Sequence, residues 1–218
     1  RQMCIRDSLL GLTATPKNTI HQSTYEFFDM KNNMPTDVYE YNEAVYQDHV
    51  LVPYHLIETS TKITDDGLTY EKLDEEEREQ YEDEFCEDDG LVDHIPPEKI
   101  NTYIFNRDTV DIMISDLMNH GIKHKNGNHV GKTIIFAQNK RHAKYIIERF
   151  DVLYPQYKGA FCKLVVCDEP YAEKNLEDFK KPDEYPFITV TVDMLETGVD
   201  VPEITNLVFA KKVYSRIK

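Results

Sequence analysis

The chain contains no tryptophan, and its 218 residues include only 4 cysteines and 8 glycines. Cys4, Cys86, Cys162 and Cys167 include no CxxC pair, so no zinc site is expected, and they are too few for a disulfide framework. Cys162 and Cys167 lie in or beside an apolar run and are expected in the core. This sparse cysteine use fits a reducing cytoplasm. No apolar run approaches the ~20 residues of a membrane span, and the first residues carry no secretory pattern. Positive charge is also short: 25 Lys and Arg stand against 40 Asp and Glu, a net charge of -15. The deficit is uneven. From Asp111 onward there are 16 basic and 15 acidic residues, so the acidity belongs to the first 110. A near-neutral second half is no basic patch, and charge alone gives no footprint of a nucleic-acid partner.

A phosphate-binding P-loop is missing as well, although one tripeptide imitates its end. Gly131-Lys132-Thr133 would need a glycine five positions before Gly131, where the chain has Asn126; Gly127 is one position off. A P-loop also lies between a strand and the helix after it, whereas Gly131 precedes the apolar run 133–137, so this is not a nucleotide site. Residues 71–89 hold 12 carboxylates in 19 positions. They lack the spaced Asp/Asn, Gly and terminal Glu of a calcium loop and read as a solvated face, with no metal assigned.

In chain order, residues 1–8 do not read as the start of a domain and are expected to be extraneous to it. Residues 9–12 end an apolar strand, and Thr13-Ala14-Thr15-Pro16 follows as a turn. Residues 20–52 are polar and rich in Tyr and Asn. Tyr39, Tyr41 and Tyr46 suit stacking on bases, but the alternation over 38–44 favours packing. Runs 57–64 and 68–73, joined by Asp65-Asp66-Gly67, carry a hairpin signal. A helix begins near Asn106, with Asp108 or Thr109 as candidate N-cap, Val110, Met113, Ile114, Leu117 and Met118 on its apolar face, and Gly121 at its C-terminal stop.

The second half alternates helix and strand. Strand 133–137 precedes a helix capped by Asn139 whose apolar face is Ala143, Ile146, Ile147 and Phe150. Residues 160–167 read as a buried strand, 172–180 as a short helix, and 187–192 and 206–210 as two further strands. Helices alternating with strands predict an α/β fold with a mostly parallel sheet. A helix N-terminus at the carboxyl end of a parallel strand is a phosphate site, which makes Gln138, Asn139, Lys140 and Arg141 candidates for an anion. The run 187–192 delivers Asp193 at its carboxyl end, where open α/β sheets bind ligands. Gly198 permits a tight turn or a close backbone approach, and Asp200 can accept hydrogen bonds from ribose hydroxyls. Two capping carboxylates around a turn account for the spacing equally well.

Asp193-x4-Gly198-x-Asp200 resembles motif V of superfamily 2 helicases. Its wording, Val192-Asp193-Met194-Leu195-Glu196-Thr197-Gly198-Val199-Asp200-Val201-Pro202, is most similar to that of the R subunits of type I restriction enzymes. Gly11-Leu12-Thr13-Ala14-Thr15-Pro16 resembles motif III of that family and Lys132–Asn139 its motif IV, in the right order. The resemblance implies the end of a first RecA-like domain and a linker over 9–52, a hairpin and acidic insertion over 53–105, and a second RecA-like domain over 106–218. It implies that Gly11, Thr13, Ala14 and Thr15 couple nucleotide state to DNA, that Gln138–Arg141 hold a DNA backbone phosphate, and that Asp193, Thr197, Gly198 and Asp200 serve the nucleotide and DNA seam. A parent enzyme of this kind translocates duplex DNA with ATP and Mg2+, cuts it, and works with modification and specificity subunits. The P-loop, the Asp-Glu-x-His motif and the arginine motif Gln-x-x-Gly-Arg-x-x-Arg of the family do not occur in these 218 residues, so this stretch alone is expected to lack ATPase activity. Another superfamily 2 DNA helicase and a non-catalytic RecA-like interaction lobe are the alternative readings.

Overall fold

A strand covered on both faces must be apolar, or must satisfy its polar groups internally, at every position. Lys132–Ala137 meets this condition, all six residues being buried in the computed structural model. The structure describes residues 18–19, 22–28, 35–58, 68–69, 78, 94–95, 106–167, 169–195 and 200–211. The chain divides into two compact units, residues 1–58 with 214–218 and residues 59–213. The first unit contains an antiparallel pair, β1 (Asn18–Thr19) and β2 (Gln22–Ser23), and two short helices, α1 (Thr24–Phe27) and α2 (Tyr41–Tyr46). The second runs β3 (Leu68–Thr69), β4 (His94–Ile95), α3 (Arg107–His120), β5 (Lys132–Ala137), α4 (Lys140–Leu153), β6 (Cys162–Leu164), α5 (Ala172–Phe179), β7 (Ile188–Thr191) and β8 (Ile204–Ala210).

The main sheet has the order β6-β7-β5-β8 and every pairing in it is parallel. Parallel neighbours cannot be joined by tight turns, and α4 and α5 supply the crossovers from β5 to β6 and from β6 to β7. This is the expected α/β class, a parallel sheet flanked by helices. The alternating side chains of β5 show the layering. Ile135 and Ala137 pack with Val110, Ile114 and Leu117 of α3 and with Ala143, Ile146 and Phe150 of α4. Ile134 and Phe136 pack instead with Phe179 of α5, Val165, Leu195 and Val201.

Capping fixes the helices that carry the candidate residues. The cap of α3 is Asn106, not Asp108 or Thr109. Its backbone is extended (φ -69°, ψ 117°), and its side-chain oxygen accepts from the Thr109 amide at 2.8 Å and the Thr109 hydroxyl at 2.7 Å. Gly121 stands at the C-cap, but with φ -58° it is not left-handed. The reason for glycine there is space, since a Cβ would meet the Leu117 carbonyl at 2.5 Å and the Val130 side chain at 3.0 Å. Asn139 caps α4 as expected, its side chain accepting from the His142 amide at 2.8 Å. A paired hydrogen bond from Arg149 to Asp111, Nε at 2.8 Å and Nη2 at 2.6 Å, ties α4 to α3.

The strands over 133–137 and 187–192 are bounded within one residue of expectation, as Lys132–Ala137 and Ile188–Thr191, and the other two depart further. The run 160–167 yields a strand only over Cys162–Leu164, whereas β8 begins two residues early, at Ile204. Cys162 is buried, as expected, and burial pushes its thiol pKa up; Cys167, also expected in the core, is instead exposed, because β6 ends at Leu164 and leaves it in the turn that follows. The hairpin signal over 57–73 falls largely outside the described residues. The described pair is Leu68–Thr69 with His94–Ile95, antiparallel. In the first unit Tyr39 and Tyr46 remain more than half exposed and are not packed as the alternation suggested. The Tyr39 hydroxyl donates to Asp48 at 2.6 Å, and this bond pushes its pKa up to about 12.

Candidate functional site

Three strands of the sheet end level. Phe136 is in register with Thr191 and with Phe209, and Ala137 with Ala210, so the residues after β5, β7 and β8 emerge along one carboxyl edge. After β5 come Gln138 and Asn139, and then the first turn of α4. That turn contains Lys140 and Arg141 and no acidic residue. Cations at the positive end of a helix macrodipole are unfavourable by several tenths of a kcal/mol, roughly 0.3–1 each at low salt. A first turn built against the dipole in this way is suited to an anion that offsets both charges.

The turn is pinned from inside. His142 is fully buried, and its Nδ1 accepts from the Gln138 amide at 3.3 Å. Burial pushes the imidazole pKa down to about 4, so it is neutral at pH 7 and acts as an acceptor. On the outer face Lys140 and Lys144, one helical turn apart, both reach Glu169 Oε1, at 2.9 and 2.8 Å. The ammonium of Lys144, and then that of Lys140, holds the Glu169 carboxyl below the usual range. After β7, Asp193 is largely exposed. Lys211, which follows β8, donates to the Val192 carbonyl at 2.9 Å, lies 3.4 Å from Asp193 Oδ1 and sits 5.8 Å from the centre of the Phe136 ring.

The structure therefore brings Gln138, Asn139, Lys140, Arg141 and Asp193 to the carboxyl edge. Asp200 is exposed and precedes the buried Val201. Thr197 and Gly198, and Gly11, Thr13, Ala14 and Thr15, lie outside the described residues. Sequence reasoning missed Lys144, Glu169, His142 and Lys211. The four-residue spacing of Lys140 and Lys144 marks one helix face, and Lys211 directly follows an apolar strand. The position of Glu169 has no local signal, because it belongs to the turn after β6.

At the amino end of the sheet, an open cleft of about 950 Å³ lies between the 124–129 turn and the 183–187 segment. His124 Nε2 is 3.0 Å from Asp183 there, and its ring stacks on His129. Beside this cleft Lys132 of the P-loop-like tripeptide is buried. Its ammonium donates to the Glu184 and Pro186 carbonyls, both at 2.8 Å, and lies 5.1 and 4.8 Å from the Phe179 and Phe187 ring centres. A lysine committed in this way cannot reach a phosphate. Among the described residues no three His, Cys, Asp or Glu side chains are grouped to hold a metal ion, and no helix is long and apolar enough to cross a membrane.

No family profile matches the chain. Two curated proteins are similar over nearly its whole length. The type I restriction enzyme EcoKI endonuclease subunit of Escherichia coli K12 is 29% identical over 95% of the chain, which spans 17% of that protein. The EcoAI endonuclease subunit of Escherichia coli is 24% identical over 96% of the chain, which spans 24% of it. A solved fragment of a putative HsdR subunit of a type I restriction enzyme from Vibrio vulnificus YJ016 is 22% identical, with a TM-score of 0.41, over 50% of this chain and 22% of that one.

Proposed function

This chain is a relative of a segment of the endonuclease (R) subunits of type I restriction enzymes, and on that premise we propose that it forms the second lobe of an ATP-driven DNA translocase. The first turn of α4 holds a backbone phosphate of duplex DNA through the side chains of Gln138, Asn139, Lys140 and Arg141. Asp193, Thr197, Gly198 and Asp200 belong to the seam with the nucleotide, and Gly11, Thr13, Ala14 and Thr15 couple the two. In the whole enzyme, modification and specificity subunits select the site on DNA.

The observation that carries this reading is the cationic first turn of α4 at the carboxyl edge, two charges set against the helix dipole with no acidic residue in that turn. The described residues do not by themselves fit ATP or Mg2+. Lys132 is committed to two carbonyls, and no carboxylate cluster is available. ATP and Mg2+ therefore belong to a seam completed by groups outside this set, and the purified chain is expected to hydrolyse ATP no faster than background. Binding to a labelled duplex, followed by fluorescence anisotropy from 50 to 200 mM salt, tests the DNA reading. K140A/R141A should weaken binding roughly tenfold and flatten the salt dependence by ~2, about 0.9 per lost phosphate contact. Equal affinity and slope in the variant would remove this turn from the DNA path.

A further inference from the structure

We propose that Glu169 is a gate on the phosphate site, its carboxylate occupying Lys140 and Lys144 until a polyanionic backbone displaces it. The inference rests on the reading that the first turn of α4 meets DNA, and it adds a residue that the helix itself does not contain. Three observations carry it.

First, both ammonium groups converge on a single oxygen, Glu169 Oε1, at 2.9 and 2.8 Å. Two lysines one turn apart on an exposed helix face would otherwise extend separately into solvent; here one acceptor gathers them. Second, Glu169 is held on a fixed support. Its amide donates to the Val166 carbonyl at 3.3 Å, and its own carbonyl accepts from the Ala172 amide at 3.2 Å, where α5 begins. Its side chain is more enclosed, at 22% exposure, than the 42% and 49% of the lysines that cover it. Third, α4 has no carboxylate in its first turn, where the dipole favours one. Glu169 supplies that charge from across the sheet edge, after β6.

A carboxylate between two cations has two effects on an arriving phosphate. It cancels half of their charge, and it repels the phosphate at close range. Each ammonium still has two N–H donors free, so the site remains competent. A small monovalent anion gains too little to displace Glu169, whereas a DNA backbone gains from Lys140 and Lys144 together. Glu169 thus biases the site towards a continuous phosphate chain. It is a positioning residue, because it acts through the lysines and does not touch the ligand.

The test uses the full chain, a labelled duplex and the same salt series. Glu169→Gln should tighten binding about three- to tenfold at ~50 mM salt, the scale of two exposed ion pairs, and steepen the salt dependence by ~1–2 as lysines turn to phosphates. The gain should vanish in a K140A/K144A background, and circular dichroism melts should show all variants folded. A purely structural role for Glu169 would move the melt and leave the salt slope unchanged. If E169Q binds no tighter while K140A/K144A binds more weakly, the gate is wrong and the DNA reading stands. If neither change alters binding, or no variant binds at all, the DNA reading of this turn fails and the gate with it.

Discussion

Lys132 offers a direct test of the packing argument, because it combines full burial with a group that can lose its charge. Burial, only partly opposed by Glu203, Glu184 and Asp183, pushes its pKa down from 10.5 to about 8. That gap corresponds to about 3 kcal/mol. Below pH 8 the folded and unfolded chains both carry the proton, and the fold bears the full cost of a buried ammonium. Between pH 8 and 10.5 the folded chain has released it while the unfolded chain still binds it, so stability rises with pH. The neutral amine keeps two N–H donors, enough for both the Glu184 and Pro186 carbonyls, and loses no hydrogen bond. Lys132→Met removes the titration and strands the buried Pro186 carbonyl at a cost of about 1–3 kcal/mol, with a smaller loss at the part-buried Glu184 carbonyl. Urea melts of both proteins at a series of pH values read the difference. The groups they share, among them Tyr157 and Cys162 with raised pKa values, cancel. The disadvantage of K132M should grow by about 3 kcal/mol between pH 7 and 10.5. A disadvantage constant across that range would mean that the carbonyls and rings fully compensate the desolvation, and the reasoning fails.

His142 makes the corresponding contribution on the acid side. With its folded pKa at about 4 against 6.5, stability should fall by up to about 3 kcal/mol as pH drops from 6.5 to 4, a loss absent from H142Q in parallel urea melts. Arg149 and Asp111 are both largely covered, at 18% and 24% exposure, and are joined by two short bonds. A double-mutant cycle with R149M and D111N should return a coupling of about 1–2 kcal/mol, and a value near zero would reduce the pair to an ordinary surface contact. Asn139→Ala should cost about 1 kcal/mol through loss of the α4 cap, with N139D restoring most of it in the same denaturation assay.

The elements most legible in the sequence were those whose residues all point to one outcome. Residues 132–137 and 188–191 are continuous apolar or Thr-rich runs, and only a fully covered strand uses such runs. Asn139 lies between one of them and a helical repeat, so the cap and the start of the helix are the same signal. The α3 boundary was harder because Asn106, Asp108 and Thr109 are all good caps. What selects among them is which carbonyl first accepts a helical bond, a property of the backbone path. The glycine at 121 was recognised as a stop, but it is needed for clearance from Leu117 and Val130, and a neighbour nine residues away is invisible to a local rule. The same limit hid Glu169, which meets Lys140 and Lys144 only because β5 and β6 lie in one sheet. Lys132 stood out as part of a P-loop-like tripeptide; nothing local announced two carbonyls more than fifty positions away.

The strand order has a consequence for the time course of synthesis. β5 is one of the two inner strands of the sheet, yet its partners are both later in the chain. Thr133 lies in register with Ile188 and with Asn206, the latter 73 positions further along. At ~5–20 residues per second, this inner strand leaves the ribosome several seconds before its last neighbour exists. During that interval the run Lys132–Ala137 is an apolar segment with unpaired edges, and only its contacts with α3 and α4 are within reach. The nascent chain has to be shielded through this interval, and the risk of misassembly is concentrated there.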